Sequence, residues 1–78
     1  EKNWTIQVVT YANESYANDE IAKLAKSGIA AFIIPSGRYY QVCVKRYATN
    51  EHAKKDLAYF QNERKYSDAF VRKIKKDA

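Results

Sequence analysis

Cys43 is the only cysteine and His52 the only histidine of this 78-residue chain, so they are the first residues to test for nucleophilic or metal chemistry. A thiolate nucleophile needs a paired base and a third group to orient that base, and Cys43, set in an alternating apolar run, has no recognisable partners of this kind. One cysteine with one histidine cannot assemble a three- or four-ligand zinc site without many carboxylates, and one cysteine cannot close an internal disulfide. The acids Glu14, Asp19, Glu20, Glu51 and Asp56 are assigned to exposed helical turns, where they do not converge as an acid–base pair. His52 is expected at the surface and Cys43 as a passive small side chain; no metal, cofactor or catalytic site is expected. What remains is recognition chemistry in Gln7, Phe32, Tyr39, Gln41, Phe70 and Arg72. Amides donate and accept, rings stack on flat apolar faces, and a guanidinium pairs with carboxylates. These six act together only if the fold brings them to one surface.

The length allows one domain with one small core. With 46% hydrophobic and 29% charged residues, two glycines and one proline, the composition is that of a folded globular module. The longest apolar run, Gly28 to Pro35, is far shorter than the roughly 20 residues that span a bilayer, and no signal-like segment opens the chain. The chain is expected to be a soluble, monomeric domain of a longer protein, with any export signal or membrane anchor outside it. Of the net charge of +5, residues 1–36 contribute −1 and residues 37–78 contribute +6. A cationic second half favours polyanionic partners, although a Lys-rich face also serves solubility alone. Lys73, Lys75 and Lys76 are assigned that generic role.

The two halves repeat each other. Tyr11, Ala12 and Ala17 recur 36 residues on as Tyr47, Ala48 and Ala53, and Glu20, Ile21 and Ala22 recur as Asp56, Leu57 and Ala58. Ala31, Phe32 and Ile33 recur 38 residues on as Ala69, Phe70 and Val71, which places a two-residue insertion in the second copy. Each copy reads strand, helix, strand. Trp4, Ile6 and Val8 alternate with Thr5, Gln7 and Val9, and Tyr40, Val42 and Val44 alternate with Gln41, Cys43 and Lys45, the period of half-covered strands. Asn13 and Thr49 stand as N-caps before acidic first turns. Ala17, Ile21, Leu24 and Ala25, then Ala53, Leu57 and Phe60, share helical faces, with helix ends near Gly28 and Asn62. Residues 30–34 and 69–72 complete the strand set, and Pro35, Ser36 and Gly37 form the turn before the third strand.

The order βαββαβ predicts an α+β, ferredoxin-like double split βαβ, the arrangement also of RNP-type domains. Its four-stranded antiparallel sheet has both helices on one face. The other face is left open. With Ile6, Val8, Tyr40, Val42 and Val44 turned to the helices, Thr5, Gln7, Val9, Tyr39, Gln41 and Cys43 turn outward. On the remaining strands Ala31, Ile33, Ala69 and Val71 go inward while Phe32, Phe70 and Arg72 go outward. The open face then carries Gln7, Phe32, Tyr39, Gln41, Phe70 and Arg72, a platform for a flat or extended ligand.

The ordered set WTIQVVTY at 4–11, AFII at 31–34, YYQVCVKRY at 39–47 and DAFV at 68–71 resembles the SPOR domain, the sporulation-related repeat of bacterial envelope proteins. It spans a single domain over residues 4–74, with 1–3 and 75–78 as flanking tails. The resemblance implies a noncatalytic module whose open sheet face binds peptidoglycan glycan strands, with preference for strands lacking stem peptides, and which targets a host protein to the division septum. It implies a periplasmic or cell-envelope location. Gln7 matches a glutamine characteristic of the first strand, Thr10 stands where serine is common, Tyr39 where an aromatic opens the third strand, and Phe70 at an outward apolar position. Gln41 and Cys43 occupy positions often held by arginine or another polar residue. Val9 replaces a frequent glycine and Lys45-Arg46 a frequent Gly-Pro. The glycan-binding set is accordingly Gln7, Thr10, Phe32, Tyr39, Gln41, Phe70 and Arg72. An RRM-like module binding single-stranded RNA shares the element order, but Tyr39 to Val44 lacks the glycines and paired aromatics of the RNP1 pattern. Nucleic acid is therefore not the expected partner. A protein-interaction domain using the same face is the third alternative.

Overall fold

In the computed structural model, which describes residues 2–74, the elements follow in the order β1 (Trp4–Tyr11), α1 (Glu14–Lys26), β2 (Ala31–Ser36), β3 (Tyr39–Tyr47), α2 (Asn50–Asn62) and β4 (Phe70–Lys73). The expected tail at 75–78, with Lys75 and Lys76, lies outside the described residues.

Both helices begin where the capping residues dictate. The Asn13 side chain accepts from the Ser15 amide at 2.8 Å and the Thr49 hydroxyl oxygen from the His52 amide at 3.1 Å, with Glu14 and Glu51 in the first turns. Helix α1 closes in a Schellman arrangement. Gly28, at φ +78°, donates to the Ala25 carbonyl, and the buried Ile29 donates to that of Leu24. Among the described residues no helix is long and apolar enough to cross a membrane.

The sheet is antiparallel with strand order β2-β3-β1-β4. Ile6, Val8, Val42 and Val44 form one core with Leu24 of α1 and Phe60 of α2, so both helices cover the same face. Ala17 and Ala53, equivalent in the repeat and fully buried, let each helix approach the sheet closely. Ala25, expected on the buried face of α1, is exposed instead, because Ile21 and Leu24 already fill the space over the sheet. Strand β2 extends through Pro35 and Ser36, which were expected in the turn. Proline is tolerated because β2 is an edge strand, and the turn itself is Gly37-Arg38, with φ +59° at Gly37. Strand β4 begins at Phe70, one residue later than expected, since the Ala69 amide is taken by the Tyr66 carbonyl.

The repeat has a bonding basis. Tyr11 donates to Glu20 at 3.1 Å and, 36 residues on, Tyr47 donates to Asp56 at 2.7 Å; Tyr66 adds a second hydroxyl to Glu20. Neither acid is the free surface carboxylate expected from the sequence: each ties its helix to a tyrosine, Tyr11 and Tyr47 standing at the ends of β1 and β3. The Tyr47 hydrogen bond, aided by Lys45, holds the Asp56 carboxyl below its ordinary pKa against the opposing effect of burial. Folding therefore gains from ionised Asp56 above the carboxyl's unfolded pKa, and that gain disappears as pH falls through the lower folded value. Tyr47→Phe is expected to weaken this dependence: between about pH 6 and pH 3 its thermal midpoint should fall less than that of the wild type. Parallel acid profiles would contradict the coupling.

Candidate functional site

Two irregularities in the pairing of β1 with β3 decide which side chains reach the open face. Gln7 pairs with Cys43, but Val9 pairs with Val42, so β1 carries an extra residue around Val8. Strict alternation would put Gln7 and Thr10 on opposite faces. The bulge restores Thr10 to the face of Gln7, and the Gln7 amide nitrogen donates to the Thr10 hydroxyl at 3.1 Å. The same shift turns Val9 inward against the core, correcting the expectation that it faces outward.

The second irregularity is on β3. Trp4 pairs with Tyr47 while Ile6 pairs with Val44, and Lys45 takes the left-handed conformation at φ 57°. Lys45 is thereby turned away from its expected alternation and reaches Asp56 on α2 at 3.4 Å. Arg46 takes the outward place, its guanidinium carbon 4.5 Å from the centre of the Phe32 ring. Thr5, expected as an outward surface residue, is fully buried, its hydroxyl sharing its one proton between the carbonyl oxygens of Lys45 (2.7 Å) and Val44 (3.0 Å) inside this bulge. Thr5→Val keeps the shape and removes this shared donor. It is expected to cost about 1–3 kcal/mol, the penalty for leaving buried acceptors unpaired, measured by denaturant unfolding. A change below about 0.5 kcal/mol would show that the hydroxyl does not hold the bulge.

The register then aligns Phe32, Cys43, Gln7 and Phe70 as one row across all four strands. At strand spacings of about 4.8 Å the row is about 14 Å wide, with an aromatic ring at each end. Ile34, Gln41 and Thr10 form the next row on one side. Thr5 and Arg72 pair on the other. Arg72 joins the rows: its Nη1 donates to Gln7 Oε1 at 2.9 Å and to Gln41 Oε1 at 2.7 Å. With its oxygen engaged by Arg72 and its nitrogen by Thr10, the Gln7 amide is fixed. A groove of about 620 Å³ lies to one side, lined by Phe32, Ile34, Gln41, Arg46 and Arg72. A smaller hollow of about 330 Å³, lined by Gln7, Thr10, Asp68 and Phe70, lies to the other.

Gln7, Thr10, Gln41 and Arg72 thus form one hydrogen-bonded group. Phe70 stands beside it, 48% exposed. Tyr39 is exposed at the hairpin, paired with Ser36 and outside the bonded group. Phe32 is half-buried and stacked under Arg46 rather than bare. Cys43 occupies the centre of the platform yet is fully buried. Burial pushes its thiol up to about 11, against the opposing charges of Arg72 and Arg46, so at neutral pH it is an uncharged floor. Arg46 was missed by the alternation. The Gly-Pro that Lys45-Arg46 replaces in the resembling family was the available signal, since glycine marks a backbone free to adopt positive φ.

The SPOR domain family model matches residues 1–73. Among solved structures, the peptidoglycan binding domain of the Bacillus subtilis cell wall lytic enzyme CwlC superposes with a TM-score of 0.72 at 14% identity, covering 96% of this chain and 92% of that one. A putative exported protein from Burkholderia pseudomallei superposes with a TM-score of 0.72 at 23% identity; the match covers 92% of this chain but 16% of that one. At these identities the two structures establish a shared fold. No curated protein sequence matches the chain significantly.

Proposed function

We propose, because this chain belongs to the SPOR domain family, that it is a noncatalytic peptidoglycan-binding module selecting glycan strands stripped of their stem peptides. The observation that carries this reading is Arg72 gripping the Gln7 and Gln41 amides on a helix-free face, with the exposed Phe70 and Tyr39 nearby. Removal of a stem peptide leaves a free lactyl carboxylate on each muramic sugar, so the denuded strand is a regular polyanion with apolar ring faces. The guanidinium of Arg72 meets carboxylates, the aromatic rings meet sugar C–H faces, and the free amide edge of Gln41 serves hydroxyl and acetamido groups. Many weak contacts along a groove suit a repetitive polymer. The CwlC domain of the same fold, described as peptidoglycan-binding, supports the substrate class. In this reading residues 4–74 are a monomeric targeting domain, and its host protein is drawn to the division septum within the bacterial cell envelope.

Sedimentation of the purified domain with amidase-treated sacculi, untreated sacculi and single-stranded RNA tests the proposal. Retention by amidase-treated material in preference to the other two is expected, weakening as salt rises, less steeply than nucleic-acid binding does. Equal retention on both kinds of sacculi would remove the specificity for denuded strands, and stronger binding to RNA would move the domain to the RRM-like class.

A further inference from the structure

Beside the sheet face, at the junction of β2, β3 and α2, lies a cleft of about 540 Å³ that the platform does not include. Ala30, Ala31 and Phe32 are among its apolar lining; Lys2, Lys45 and Arg46 are its cations. Its acid, Asp56, already accepts from Tyr47 and Lys45, and His52 lies against the Tyr47 ring at 5.6 Å. Phe32 and Arg46 line both this cleft and the groove on the open face, so the two hollows share one ridge. Among the described residues the Arg46 side chain makes neither a hydrogen bond nor an ion pair. Its stack on Phe32 holds the guanidinium plane while leaving the N–H donors free. The internal repeat sharpens the point. Where the second copy has Lys45, Arg46 and His52, the first has Val9, Thr10 and Tyr16 at the equivalent positions, so part of its divergence here adds positive charge.

We infer that a glycan strand lying on the open face continues over the Phe32–Arg46 ridge into this cleft, where Lys2 and Arg46 meet its next carboxylate. This rests on the glycan-binding reading and lengthens the site beyond the sheet. The test is calorimetric titration of the domain with denuded glycan oligomers of one to five disaccharides, using the wild type, Lys2→Glu and Ala30→Glu. Both substituted residues are exposed and lie off the sheet face. Wild-type affinity is expected to rise by about tenfold once the oligomer outgrows the platform. Each variant, with a wild-type melting temperature, should bind the short oligomer as the wild type does and lose that increment. Amide resonances of Lys2, Ala30 and His52 should shift with the longer oligomers alone. An increment retained in both variants, or equal shifts with the shortest oligomer that binds, overturns the extension. No binding at any length by the wild type overturns the underlying reading as well.

Discussion

Arg72→Ala is expected to lower affinity for denuded glycan by about tenfold to a hundredfold, the equivalent of one hydrogen-bonded charge lost from the site. The effect should exceed that of any single amide substitution, because Arg72 holds two amides at once. Without it, Gln7 Oε1 and Gln41 Oε1 lose their common donor and both side chains regain rotamer freedom. Arg72→Lys separates charge from positioning. It should restore much of the salt dependence and only part of the affinity, since an ammonium is not a planar fork that holds both amides in place. Calorimetric titration with denuded glycan at two salt concentrations reads both. Full affinity in Arg72→Ala would place the binding site elsewhere on the molecule.

The second large effect is on stability, and it separates the two faces of the sheet. Phe60→Ala removes a ring that is 1% exposed and sits between α2 and the sheet. A loss of about 3–5 kcal/mol is expected, which at roughly 4–8 °C per kcal/mol for a domain of this size lowers the melting temperature by about 12 °C or more. Against a typical total of about 5–15 kcal/mol the variant sits near the edge of folding. Phe70→Ala removes the same ring from the open face, where it is 48% exposed, and should cost about 1 kcal/mol or less while weakening glycan binding. Melting curves of the two variants under one condition make the comparison. A reversed order of stabilities would mean that β4 presents its other face to the helices.

Much of this architecture was legible in the chain because it is written at short range. N-caps at Asn13 and Thr49, alternation in Trp4–Val8 and Tyr40–Val44, and helical spacing of Ala17, Leu24, Ala53 and Phe60 each depend on a residue and its near neighbours. The 36-residue repeat then supplied the order of elements, and with it a sheet that has one uncovered face. From that alone Gln7, Gln41, Phe70 and Arg72 could be assigned to a common surface, and Thr10 was added by family resemblance.

The contents of that surface needed the tertiary structure, because a bulge belongs to a pair of strands and leaves no period in either one. The extra residue in β1 turns Val9 in and brings Thr10 to Gln7. The left-handed Lys45, clamped by the Thr5 hydroxyl 40 positions away in sequence, exchanges places with Arg46 and sets a second guanidinium at the edge of the platform. Alternation counts residues along one chain segment and assumes that its neighbour keeps step. Where β1 and β3 fall out of step, the facing of each residue is set by hydrogen bonds to a partner far off in the sequence. Local chemistry thus determined the elements and the open face, while the long-range pairing of β1 with β3 and β4 decided which amides, rings and cations share it.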